Sequence, residues 1–139
     1  MMRVVRPGGK VVVAVLASLE ATPGYAAVAT MLSELFGAEV AQSIEVSYCL
    51  GDVRTLRSLF ADAGAEGATI QTLEGEAHFA SVDAWMYTEV KGWTLADTIG
   101  DEGFRRLQQE AATRLSPFVR PDGSVAFSAP AHLVVCDKE

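Results

Sequence analysis

His78, His132, Cys49 and Cys136 are the side chains of this sequence best suited to metal binding or nucleophilic catalysis. Neither use is supported by their spacing. A structural zinc site draws on cysteines and histidines a few residues apart, and here all four stand isolated. The cysteines read as buried, reduced thiols. The histidines read as structural or surface residues. Among the carboxylates, Asp101-Glu102 opens a helix, where the macrodipole favours negative charge, and Glu74-Gly75-Glu76 is a solvated strand end or loop. The sequence contains no G-x-S-x-G, no H-E-x-x-H and no P-loop. The aromatic residues Tyr25, Tyr48, Trp85, Tyr87 and Trp93 remain. Trp85 belongs to an inward helical stripe and Tyr25 lies one turn into a helix. Tyr48 and Trp93 fall in irregular segments, where binding residues concentrate.

The 12 glycines form no G-x-G anywhere. A nucleotide-type cofactor in an α/β fold needs such a turn, so that backbone can approach the ligand at a helix N-terminus. Gly8-Gly9 precedes a strand and is on the wrong side for that task.

These side chains must be carried by 139 residues, a length that fits one domain, residues 1–139. Hydrophobic residues make up 50% and charged residues 21%, so a packed core is expected rather than disorder. The net charge of -7 argues against nucleic acid, whose affinity comes from clustered cations, and against anionic membranes. No apolar run reaches the roughly 20 residues of a membrane helix, and the start does not resemble a signal peptide. A cytoplasmic protein is expected.

Lys10–Leu16 is apolar and β-branched, which predicts a strand buried on both faces. Thr22 as N-cap and Pro23 at the first helical position open a helix that Gly37 closes, with Tyr25, Val28, Leu32, Leu35 and Phe36 on its stripe. A short helical turn fits Ala38–Ser43. Asp52 caps a helix in which Val53, Leu56, Leu59, Phe60 and Ala63 face one way, and Gly64 ends it. A strand over Ala68–Leu73 extends toward Phe79. Ser81 caps a helix with the stripe Val82, Trp85, Met86 and Val90, and another helix spans Glu102–Leu115. The last strand covers Val125–Phe127 and Ala131–Cys136, with Pro130 marking a bulge or the true start. The expected order is β-α-α-β-α-α-β, an α/β (α+β) arrangement without repeats. Ser43–Gly51 and Gly92–Asp101 are expected to be irregular.

Val4-Val5-Arg6-Pro7-Gly8-Gly9 leading into Lys10–Val15 resembles the L-x-P-G-G entry to the fifth strand of class I S-adenosylmethionine-dependent methyltransferases, in particular the UbiE-like small-molecule branch. Thr22–Ala27 is similar to the helix after that strand. Leu50–Gly64 resembles the family helix before the sixth strand, although Ala65 stands where the family carries an aromatic. Pro130–Val135 resembles the seventh strand. The likeness covers nearly the whole chain but only the C-terminal, substrate-side half of that fold.

The resemblance implies a partial Rossmann-like fold. Its sheet would have three strands in the order first-third-second, flanked by about four to five helices. The family's cofactor-binding elements have no counterpart here. S-adenosylmethionine would therefore be bound only if a complementary half were supplied, and the isolated chain would be inactive. Tyr25, Tyr48, Trp93 and His132 become candidates for contacting the methyl acceptor. No general base and no metal ligand is assigned. In that layout Lys10–Leu16 is a bare edge, so pairing is expected, either as a homodimer through this strand or with a cofactor-binding chain. The alternative is a non-catalytic, self-associating α/β module that binds a small apolar ligand.

Overall fold

The computed structural model describes residues 1–92 and 95–138. Its architecture is mixed α/β. Among the described residues, strands β1 (Lys10–Leu16), β2 (Thr69–Leu73), β3 (Glu76–Phe79), β4 (Val125–Ser128) and β5 (Ala131–Asp137) alternate with helices α1 (Pro23–Phe36), α2 (Ala38–Glu45), α3 (Val53–Asp62), α4 (Val82–Lys91) and α5 (Leu95–Arg114).

The expectation of three strands is corrected to five, in two sheets. One sheet has the order β1-β5-β2, and β3-β4 forms a second. The strand nearest the C-terminus is central, antiparallel to both neighbours, with Val13 opposite Val134 and Ile70 opposite Val134 on the other side. The two expected long strands are each divided at the same level. Leu73 pairs with Ala131, and the ladder resumes only at Glu76 and Ser128. Between them Pro130 cannot donate, while Ala129 N–H bonds the Gly75 carbonyl at 2.8 Å. The ribbon bends there and enters the second sheet.

Burial of β1 on both faces is also corrected. Val11, Val13 and Val15 face inward, whereas Val12 is 56% exposed. Val11, Val134, Cys136 and Leu56 form a small core, with Phe60, Val13, Val15 and Ile70 packed around it. Helix α3 therefore covers one face of the sheet. Its expected stripe is reduced to Leu56 as the buried residue, and Leu59 turns to solvent.

The larger core lies among α1, α2, α4, α5 and the β3-β4 ladder. At its centre are the fully buried Trp85, Met31, Leu32 and Met86. The predicted caps at Asp52 and Ser81 form, accepting from Thr55 N–H at 2.9 Å and Ala84 N–H at 3.1 Å. Thr22 stands at the N-cap of α1 with Pro23 opening the helix, as expected, but its side chain makes no cap hydrogen bond. Its hydroxyl donates back to the Ser18 carbonyl at 3.4 Å, and the side chain is buried. The two segments expected to be irregular are partly helical. Helix α2 continues to Glu45 and a 3-10 turn carries Val46–Tyr48. Helix α5 starts at Leu95 and bends at Gly100, whose φ of 62° and ψ of -176° break the helical path.

Candidate functional site

Between α1, α2, α4 and the ends of the strands lies a cavity of about 370 Å³. That volume is at the small end of known ligand sites, roughly 300–1,000 Å³. Leu16, Ile44 and Leu95 give it apolar walls, with Ala77 and Ala129 at the bend of the ribbon. Tyr25, Tyr48 and Glu89 supply the principal polar atoms, together with Thr22, Ser43 and Ser47. Leu16 is the last residue of β1, and Leu73 of β2 ends at the same level, since both stand opposite Ala131. The cavity thus opens beside the carboxyl end of β1, on the side where the ribbon bends toward β3 and β4.

Tyr25 is placed by a close approach of α1 to β4. Gly24 lies against the Phe127 ring, and a Cβ there would stand 2.5 Å from ring carbons. With no side chain at that position, α1 can press onto β4. The Tyr25 ring is then edge-on to Phe127 at 5.5 Å and edge-on to Trp85 at 5.6 Å. Tyr48, on the 3-10 turn after α2, lies 5.9 Å from Tyr25 between ring centroids.

The Tyr25 hydroxyl donates to Glu89 Oε1 at 2.6 Å. Glu89 is 8% exposed and forms no ion pair with Lys, Arg or His among the described residues. Burial raises its pKa above the ordinary value, partly offset by the Tyr25 hydrogen bond and the Trp85 indole. The same burial, with the nearby carboxylate, raises the hydroxyls of Tyr25 and Tyr48, so both remain protonated donors. The Trp85 N–H is buried and acts on both Glu89 and Tyr25, yet no acceptor among the described residues lies in hydrogen-bond geometry.

Sequence reasoning missed Glu89. The signal was present in the helical spacing: residue 89 falls on the stripe of Val82, Trp85, Met86 and Val90, so a carboxylate sits among apolar neighbours.

The four predicted contact residues divide. Tyr25 and Tyr48 come together at the cavity. His132 is buried on β5, away from the cavity lining. Its Nδ1 is 2.9 Å from Thr72 Oγ1 and its Nε2 is 3.0 Å from the Gly51 carbonyl, which ties the sheet to the start of α3. Nε2–H donates to that carbonyl, leaving Nδ1 to accept from the threonine hydroxyl. Trp93 lies outside the described residues. Cys136 is buried as expected, but Cys49 is exposed, because it follows the 3-10 turn on its outer side. His78 contacts Glu76 at 2.8 Å, and Glu76 also accepts from Arg120 at 2.8 Å. No group of three or more His, Cys, Asp or Glu among the described residues could hold a metal. No helix among them is long and apolar enough to cross a membrane.

S-adenosylmethionine, the cofactor implied by the resemblance, does not fit the turns that follow these strands. After β1 the backbone of Ala17 and Ser18 fills the space in which a Gly51 side chain would stand. After β2, Gly75 is taken up by Ala129. Both glycines are closed in by neighbouring backbone, whereas a nucleotide cofactor needs an open glycine turn that the ligand can approach. No family model matches this chain, and no curated protein matches it.

Proposed function

We propose that this chain is the substrate-side half of a S-adenosylmethionine-dependent small-molecule methyltransferase. The cavity at Tyr25, Tyr48 and Glu89 receives the methyl acceptor, and a complementary half binds the cofactor. The observation that carries this reading is the position of the cavity at the carboxyl end of β1, the strand whose outer edge has no partner among the described residues. A cofactor-binding sheet added to the free edge of β1 would bring its own strand ends beside the same cavity. The P-G-G entry to β1 and the antiparallel β5 between β1 and β2 support the reading further. Catalysis would rest on positioning the acceptor against the methyl donor. Titration of the isolated chain with S-adenosylmethionine should give no binding heat. Methyl transfer should appear when a complementary cofactor-binding chain is added. Micromolar binding of the cofactor by this chain alone would overturn the division of labour.

A second reading is a non-catalytic, self-associating module. It is favoured by β1, which pairs only with β5 among the described residues, leaving an apolar and proline-free outer edge. Two copies could join antiparallel through it into one continuous sheet. Light scattering tests this. A clean monomer at micromolar concentration, with fast exchange of the Lys10–Leu16 amides, would remove self-pairing.

A further inference from the structure

The cavity holds one feature that a general pocket for apolar molecules does not require. Glu89 places a carboxylate at its wall, buried and without an ion-pair partner among the described residues. Among the described residues the carboxyl is held by the Tyr25 hydroxyl at 2.6 Å, with the buried Trp85 N–H, itself without a hydrogen-bond partner there, as a second dipole. A buried charge compensated in this way is costly, and a fixed cation beside it would be favourable. The rings of Tyr25 and Tyr48 stand 5.9 Å apart beside the carboxylate, tilted by 46°. Aromatic faces attract cations through their quadrupole, most strongly where water is excluded. Both hydroxyls stay protonated, so the rings add no negative charge of their own.

We propose that the ligand of this cavity is a small organic amine. Its ammonium sits on Glu89 beside the rings of Tyr25 and Tyr48, and its apolar body lies against Leu16, Ile44 and Leu95. The inference rests on reading the cavity as the acceptor site, and it specifies the chemical class of the acceptor. Glu89 sets the charge preference, and the apolar walls exclude strongly hydrated polyamines. An anion would face the carboxylate with no Lys, Arg or His among the described lining residues to receive it.

Calorimetric titration of the full chain with phenethylamine, phenethyl alcohol and phenylacetate tests this directly. The amine should bind at least about tenfold more tightly than the alcohol, and phenylacetate should not bind detectably. Glu89→Gln should weaken the amine by about tenfold or more while leaving the alcohol within about threefold. Tyr48→Leu should weaken the amine more than the alcohol, with the carboxylate still in place. Retained alcohol binding reports that each variant keeps its cavity. If Glu89→Gln does not fold, the wild-type comparison of amine with alcohol decides alone. Alcohol binding equal to or tighter than the amine would overturn the amine inference and leave the cavity as an acceptor site. Failure of all three compounds to bind would overturn both.

Discussion

At the scale of single residues, Glu89 carries the consequences that can be measured most directly. Its carboxyl is held above its ordinary value of 4.5, chiefly by burial. Below that value the carboxyl is protonated in both folded and unfolded chains. As pH rises the unfolded chain ionises first, so stability falls until the raised value of the folded chain has been passed. Urea unfolding across this range should therefore show wild-type stability declining with increasing pH. Glu89→Gln should flatten the decline and match or exceed wild-type stability at neutral pH, to within about 1 kcal/mol. Parallel pH dependences in the two proteins would mean that Glu89 is not the group responsible. His132 shows the opposite case. A histidine on a strand invited a role in binding, but both ring nitrogens are spent on Thr72 and Gly51. Partners so far away in sequence could not be read from the residue itself.

At the scale of elements, most helix ends were legible because they depend on local chemistry. The Asp52 and Ser81 caps are formed by side chains acting on backbone three residues ahead. Thr22 had the right residue type but turned its hydroxyl back to Ser18, since its side chain is buried in the larger structure. The position of α1 depends on Gly24, whose lack of a side chain admits the Phe127 ring. Gly24→Ala should destabilise the fold by about 1–3 kcal/mol through overpacking, measured by urea unfolding. Because the neighbouring Tyr25 moves with α1, the same variant should also weaken ligand binding in the cavity. A variant as stable as wild type would show that α1 and β4 have slack between them.

At the scale of the whole molecule, the main consequence is an incompletely covered sheet. Helix α3 packs on one face, while Val12, Leu16 and Leu73 are exposed on the other at 56%, 39% and 42%. The outer edge of β1 has no strand partner among the described residues. An apolar edge of this kind is a template for pairing, and a lysine on it is a common deterrent. If two copies pair through this edge, Val12→Lys should shift the association toward monomer in light scattering, while changing the unfolding free energy by less than about 0.5 kcal/mol. An association state that does not change would mean that copies do not pair through this edge.

From the sequence alone came the mixed α/β class, the identity of the first strand, the main helices and the apolar stripe around Trp85. These follow from residue type and short-range periodicity, which act within a few residues. The tertiary structure alone decided that a long ribbon bends at Gly75 and Ala129, that one sheet face lies open, and that Tyr25 reaches Glu89 across 64 positions. Each of these depends on which distant surfaces meet. A carboxylate becomes a buried charge, and a tyrosine its donor, only after packing has excluded water from both.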